Sequence, residues 1–260
     1  MTQFQKGAEA LNALKAGRSE GGNATKIDFA KFGIGTTYKV RVLGTQDMMR
    51  YFGYGIYKKV NTFVAQNPST RNDKGFVVSD HTPWDLAEKY HRDLQFAAKD
   101  ANNEKEEKAQ REEANKYRGE ERFAMGFVDL ATGKEIVVDL TRNQALDVYA
   151  TITKYEKKLG KLAFELAKTN ATGQNKDTKA SLTPLIDFDE DLNEKERENF
   201  AKFDGKEFNH SLFDGLLFEA DEKTQIENLV AAGFDINLIG KSLGGSATDS
   251  NEPKSEELPF

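Results

Sequence analysis

The sequence predicts a mainly β fold with inserted helices, which places the chain in the α+β class. Residues 37–43 alternate between apolar and polar side chains, as in a strand with one buried face. Residues 48–64 are rich in aromatic and β-branched residues but contain Gly53 and Gly55, and glycines inside a strand indicate bends or bulges. About five such strands with helices between them fit a five-stranded OB-type barrel better than a parallel α/β sheet.

Composition divides the 260 residues into four predicted regions. Residues 1–25 form an N-terminal arm whose single amphipathic helical pattern is too short to be stable alone. Residues 26–220 form the barrel core, which a highly charged helical insert enters at about 85–120. A C-terminal helical segment spans 221–242, and a flexible, disordered acidic tail spans 243–260.

The elements after the insert alternate between strands and helices. Ala131-Thr132-Gly133 separates two apolar segments, which is the signal of a β-hairpin. Thr141 can cap a helix that follows this hairpin directly. Two further alternating segments, 162–166 and 178–185, complete the predicted strands.

The composition also excludes several classes of function. The chain has no cysteine, so disulfides, thiolate nucleophiles and cysteine-ligated zinc are excluded. No apolar run has the length of a signal-peptide core or of a membrane span. We therefore predict a cytoplasmic protein without membrane contact.

Charge is distributed unevenly along a chain whose net charge is −6. Residues 26–79 contain nine Lys and Arg against three Asp, whereas residues 187–222 contain thirteen acids against four bases. Binding to phosphates depends on the local potential rather than on total charge. The pattern predicts a basic groove and an acidic competitor for that groove on the same chain.

The densest candidate binding site is the segment 49–59, with four aromatic and three cationic residues. Unpaired bases stack on aromatic rings while cations neutralise phosphates, so this mixture indicates binding of single strands with little base preference. The predicted DNA-binding residues are Lys39, Arg41, Arg50, Tyr51, Tyr54, Tyr57, Lys58, Lys59 and Trp84. Phe52, Arg118 and Arg122 are weaker candidates.

Two alternatives stay open for these aromatic residues. Tyrosines in a strand are often ordinary core residues, although that interpretation leaves the local excess of positive charge unexplained. Trp84 is either a core residue or a stacking platform, because both uses are common for tryptophan.

Two groups of residues have the chemistry of metal ligands. They are Asp80, His81, His91 and Asp93, and then Asp187, Asp189, Asp191 and Glu198. The first group lacks the tight spacing of zinc ligands, and the second has Leu192 where a calcium loop needs glycine. No nucleophile arrangement or phosphate-binding glycine motif is present either. We predict no metal, no cofactor and no enzymatic activity.

The chain ends in a short motif that suits capture by another protein. Its last residues are Glu256, Glu257, Leu258, Pro259 and Phe260. A terminal ring can enter a pocket while basic groups hold the carboxylates around it. The motif resembles the C-terminal tip of bacterial single-stranded-DNA-binding proteins, which implies that the tail recruits protein partners.

Three segments together resemble the helix-destabilising, single-stranded-DNA-binding proteins of tailed bacteriophages. They are residues 7–15 (GAEALNALK), residues 38–43 (YKVRVL), and residues 127–140 with the helix from Thr141. The resemblance implies an OB-fold core that coats single strands and an arm that contacts a neighbouring protomer. It further implies an acidic tail that recruits replication and recombination proteins in the host bacterial cytoplasm.

Three hypotheses about function follow from these patterns. The leading one is a non-catalytic, sequence-independent protein that coats and protects single-stranded DNA during phage replication, recombination or repair. The second is a recombination or replication adaptor whose barrel binds protein. The third is a metal-dependent nuclease that uses the acidic cluster at 187–191.

Overall fold

The computed structural model describes residues 28–174 and 177–243. The predicted N-terminal arm and the predicted partner-binding tip (Glu256, Glu257, Leu258, Pro259 and Phe260) lie outside the described residues. The described part is an α+β fold with a large, mostly antiparallel sheet and helices, which confirms the predicted class. No helix in this part of the chain is both long and apolar enough to cross a membrane.

Within the described residues, the main sheet has eight strands. They are β1 (Thr37–Arg41), β2 (Met48–Ile56), β3 (Val60–Ala65), β6 (Glu120–Asp129), β7 (Lys134–Thr141), β8 (Phe164–Asn170), β9 (Thr178–Pro184) and β10 (Glu219–Ala220). Strands β4 (Thr70–Arg71) and β5 (Val77–Ser79) form a separate small hairpin. The main sheet runs β10-β3-β2-β6-β1-β8-β9, with β7 also paired to β6.

The sheet is open, whereas the sequence predicted an OB-type barrel of about five strands. Among the described strands no pairing joins β9 to β10, the two ends of the order. Strand β10 has two residues and pairs in parallel with β3, more than 150 residues earlier in the chain. Such a contact leaves no periodic pattern in the sequence, so β10 was not predicted. The segment 48–64 also forms two strands, β2 and β3, which raises the number further.

Strand β6 organises the middle of the sheet. It pairs with β7 from Arg122 to Asp129, so β1 and β2 share its other edge. Strand β2 pairs with the first half of that edge, and β1 pairs with the second half. The register of β2 against β3 shifts between Tyr54 and Ile56, which confirms an irregularity at Gly55.

The α-helices of the described residues lie between and after the strands. They are α1 (Pro83–Asp100), α2 (Glu104–Tyr117), α3 (Arg142–Lys154), α4 (Phe188–Asp191), α5 (Glu194–Lys202) and α6 (Glu222–Ala232). Helices α1 and α2 form the predicted helical insert, and Thr82 caps α1 by accepting a hydrogen bond from the backbone N–H of Asp85. Thr141 begins α3 with a capping box, as predicted.

Two large apolar clusters support this arrangement. One lies between α3 and the strands β1, β6, β7, β8 and β9. The other joins the helical insert to β2, β3 and α6, and Trp84 is fully buried at its centre. The Trp84 ring centroid lies 5.3 Å from that of Phe63, and its Nε1 donates to the carbonyl of Gln225 over 3.1 Å. Trp84 is therefore a core residue and offers no free face for a base.

Candidate nucleic-acid interface

Lys39 and Arg41 of β1 contact the acidic segment rather than an open groove. Arg41 is 3% exposed, and its guanidinium donates to the carbonyl of Phe200 and to Asp204 Oδ1, the latter over 3.1 Å. Lys39 Nζ lies 3.1 Å from Glu196 Oε2. The DNA-binding role predicted for Arg41 is therefore corrected, because α5 and the turn after it bury its guanidinium. Lys39 is only half-buried, and its predicted role stays a prediction.

The acids of 187–204 also have local structural uses. Asp187 caps α4 by accepting hydrogen bonds from the backbone N–H groups of Asp189 and Glu190. Glu196 completes the capping box of α5 with Asn193. In the described part of the chain, no three His, Asp or Glu residues are grouped as metal ligands would be. The geometry gives no support to a nuclease centre at 187–191.

Tyr51 and Tyr54 are buried tyrosines whose hydroxyl groups are hydrogen-bonded. Tyr51 donates to Asp139 Oδ1 over 2.8 Å, and Tyr54 donates to Asp85 Oδ2 over 2.9 Å. Burial, followed by the charge of Asp139, raises the pKa of Tyr51 well above its usual value. Burial, followed by the charge of Asp85, raises the pKa of Tyr54 to about 12. Neither ring is a free stacking platform, which corrects the role predicted for them.

A large depression on the described surface, here called the main groove, has a volume of about 880 Å³. It lies between the β2–β3 hairpin, the end of α2 and residues 215–218. Tyr57, which is 88% exposed, and Phe218, which is 64% exposed, both line it. Two aromatic rings that are open to solvent in one concave surface are suited to stacking with unpaired bases.

Cations line the same groove. They are Lys58, Lys116, Arg118 and Arg122, and the acids there are Asp28, Glu120 and Asp139. Arg122 is paired with Asp139: its Nε donates to both carboxylate oxygens over 2.9 and 3.0 Å, and its Nη2 donates to Oδ2 over 2.5 Å. Burial alone would lower the pKa of Arg122, but the hydrogen bonds and charge of Asp139 raise it. Arg118 is exposed and forms no direct ion pair within the described residues.

The turn of the β2–β3 hairpin presents Tyr57, Lys58 and Lys59. The φ of Lys58 is 64°, so its backbone is in the left-handed region of a tight turn. Its Nζ lies 5.4 Å from the centroid of the Tyr57 ring. Lys59 Nζ donates to the carbonyl of Ala232 over 3.3 Å, which ties the hairpin to the end of α6. Of these three predicted residues, Tyr57 and Lys58 face the main groove.

A second depression of about 470 Å³ adjoins the main groove. It is lined by Phe52, Lys74, Gly75, Asn115, Arg118, Gly119, Glu120, Glu121, Arg122, Thr141, Arg142 and Asn143. The two depressions share Asn115, Arg118, Glu120 and Arg122. They therefore lie on either side of the junction between α2 and β6. Arg50, another predicted site residue, borders the second depression through its 2.7 Å ion pair with Glu121.

Phe218 and Lys116 were missed by sequence reasoning. Lys116 lies in a run of charged residues, where nothing distinguishes it from its neighbours. Phe218 is brought to the main groove by the pairing of β10 with β3, and its carbonyl accepts a 2.9 Å hydrogen bond from the N–H of Val64. An aromatic residue after Leu216 and Leu217 was the only local signal for it.

The helical insert is fixed to the groove by a buried polar network. Asp85 accepts hydrogen bonds from the hydroxyls of Tyr54 and Thr82, and its Oδ1 lies 2.8 Å from Arg71 Nη2. Ser69 also donates to Asp85. These groups satisfy the buried carboxylate and join β2, the β4–β5 hairpin and α1.

Comparisons with known proteins give no relative for this arrangement. No family model matches the chain, and no match to it was found among curated proteins or solved structures. The likeness of its segments to phage helix-destabilising proteins therefore stays a prediction. The functional conclusion depends on the residues of the two depressions.

Proposed function

We propose that the chain is a non-catalytic protein that binds single-stranded DNA without sequence preference and holds it in the main groove. The observation that carries the proposal is the pair of exposed rings, Tyr57 and Phe218, in one large depression. Cations that are suited to backbone phosphates line the same depression. They are Lys58, Lys116 and Arg118.

The arrangement favours single strands over duplex for a physical reason. Base faces are free to stack only where the strand is unpaired, and each base–aromatic stack contributes roughly 1–3 kcal/mol. Every base has such a face, so stacking gives little sequence preference. Phosphate neutralisation adds affinity that decreases as salt increases.

The sheet geometry is compatible with a further proposal about the fold. Strands β1 and β2 both pair with one edge of β6, and β2 has an irregular register against β3 at Gly55. Strand bends and irregular registers of this kind occur where sheets curl into small barrels. We place the core with the OB-type folds, as an open and elaborated form whose helical insert forms one wall of the groove.

The proposed biological role is coating and protection of single strands during phage DNA replication, recombination or repair. Residues 243–260 would recruit replication or recombination proteins through the acidic and apolar tip, and residues 1–25 would mediate self-association. Both roles derive from the resemblances of the sequence. Deletion of residues 251–260 should preserve or strengthen DNA binding while abolishing capture of a partner. Loss of DNA binding on that deletion would contradict this division of labour.

The decisive experiment measures the anisotropy of a labelled 15-residue oligothymidine and of a matching duplex at several salt concentrations. We expect tighter binding of the single strand and a loss of affinity as salt increases. Equal affinity for duplex, or affinity that salt does not change, would overturn the proposal.

Single substitutions then locate the interface. Tyr57→Ala and Phe218→Ala should each weaken oligothymidine binding about fivefold or more, which corresponds to the loss of one stack. Phe96→Ala and Tyr149→Ala are matched controls, since both rings are exposed but neither lines either depression. If all four variants bind as the unchanged protein does, the main groove is not the interface, and the adaptor hypothesis gains support.

A further inference from the structure

The second depression has a different chemistry from the main groove. Its aromatic residue is Phe52, and two guanidinium groups lie over this ring. The Cζ of Arg71 is 4.1 Å from the ring centroid, and that of Arg50 is 5.0 Å from it. Gly75 packs against the ring edge, because a Cβ built there would lie 3.4 Å from Phe52 Cζ. Phe52 thus holds cations in place and has little surface left for a base.

Positive charge exceeds negative charge around Glu121. This carboxylate forms a 2.7 Å ion pair with Arg50 and a 3.0 Å ion pair with Arg142. One negative charge therefore faces two positive charges, and Arg142 is about half exposed. A phosphate that approaches this trio meets an arginine that is already oriented by its carboxylate partner.

Lys74 adds a positive charge to the lining of the same depression. It lies in the turn of the β4–β5 hairpin, where the side chain of Asn72 accepts hydrogen bonds from the N–H groups of Lys74 and Phe76. Arg71 fixes this turn to the rest of the molecule by donating to the carbonyl of Gly75 over 3.0 Å. Lys74 itself forms no ion pair in the part of the chain that the structure describes.

We propose that the second depression is a phosphate-binding subsite for the same DNA strand, which passes over Arg118 from the main groove and is held by Lys74 and Arg142. This inference rests on the proposed function. Arg118 lines both depressions, so a strand can leave one and enter the other without losing contact with it. The subsite binds only the backbone of the strand, whereas the main groove binds the backbone and also stacks the bases.

The proposal predicts a dependence on oligonucleotide length. A strand short enough to fill only the main groove gains nothing from Lys74 and Arg142. A longer strand reaches them and gains two phosphate contacts, each of which adds about 0.7 to the salt slope for single strands. The affinity of the unchanged protein should therefore increase with length until the second depression is filled.

The test compares the double variant Lys74→Ala/Arg142→Ala with the unchanged protein on oligothymidines of increasing length, from 3 to 15 residues. We expect the double variant to bind the shortest oligomers normally and the longest about tenfold more weakly, with a salt slope shallower by about 1.4. The matched control is Lys105→Ala/Arg111→Ala, which removes the same charge from exposed positions of α2 outside both depressions. It should bind every length as the unchanged protein does.

Oligothymidines with neutral methylphosphonate linkages at one end provide an independent measurement. Neutral linkages at the end that reaches the subsite should weaken binding to the unchanged protein and leave binding to the double variant unchanged. A double variant that matches the control at every length would overturn the subsite while the proposed function stands. Failure of the unchanged protein to bind any oligothymidine would instead overturn the proposed function.

Discussion

Arg41→Met separates a structural role of Arg41 from the DNA-binding role that its position in the sequence suggests. Methionine keeps most of the apolar stem of the side chain but removes its charge and all its donors. In the structure, the guanidinium of Arg41 is enclosed by α5 and the segment that follows it, and it lies 4.1 Å from the ring centroid of Phe200 in α5. A strand of DNA cannot reach it without displacing that segment.

The expected loss of stability follows from the contacts that disappear. The buried hydrogen bond to the carbonyl of Phe200 has a charged donor, and such bonds contribute about 1.5–3 kcal/mol. The ion pair with Asp204 contributes less, because the carboxylate is 80% exposed and is screened by solvent. With the contact to the Phe200 ring included, we expect the free energy of unfolding to decrease by about 2–4 kcal/mol.

Urea denaturation gives this free energy, and oligothymidine anisotropy under folding conditions gives the affinity. Arg41→Met should be less stable and should bind DNA as tightly as the unchanged protein. Lys39→Met serves as a comparison: its Nζ pairs with Glu196 and donates to the carbonyl of Asp191, but the lysine side chain is 37% exposed, so the loss of stability should be smaller than for Arg41→Met. Weaker DNA binding by Arg41→Met without a change in stability would refute the structural assignment.

Three other substitutions test the packing that forms the main groove. Trp84→Ala should lower the free energy of unfolding by about 3–5 kcal/mol in urea denaturation, because it leaves a cavity beneath the insert. Gly119→Ala should cost about 1–3 kcal/mol and weaken oligothymidine binding, since its Cβ would lie 2.9 Å from Arg71 Nη2 and 3.0 Å from Tyr54 Cε1. Unchanged stability in either variant would contradict the packing. Because its pKa is raised from 10.0 to about 12, Tyr54 contributes stability that is complete below pH 10 and is lost as pH rises towards 12. Denaturation at pH 9 and pH 11 should show a smaller decrease in stability for Tyr54→Phe than for the unchanged protein, and an equal decrease would contradict the assignment.

Local patterns predicted the parts of the fold that depend on local interactions. The helical insert has helix-forming residues, and α1 begins with Thr82 as its cap and Pro83 at its first position. The hairpin of β6 and β7 has Gly133 at a φ of 65°, which glycine adopts without steric cost. In these elements the structure is determined by neighbours in the sequence.

The residues whose roles were predicted incorrectly are those whose surroundings are determined by long-range packing. Arg41 alternates with apolar neighbours as an exposed strand residue would, and only the return of α5 onto β1 buries it. Tyr51 and Tyr54 belong to a segment rich in aromatic and cationic residues, but their hydroxyl groups find Asp139 and Asp85 from distant elements. Hydrophobic periodicity carries no information about such partners.

At the junction between α2 and β6, the helical insert forms part of the groove and is fixed to the sheet, so it does not act as a hinge. Helix α2 ends at Tyr117 and β6 begins at Glu120, so Arg118 lies where the insert meets the sheet. The insert packs through Trp84 into the same cluster as β3, and Asp85 joins it to β2. A strand bound over Arg118 would therefore contact the insert and the sheet at once. Its affinity depends on a groove whose width is set by core packing, so substitutions that loosen the insert should weaken binding even where they touch no DNA.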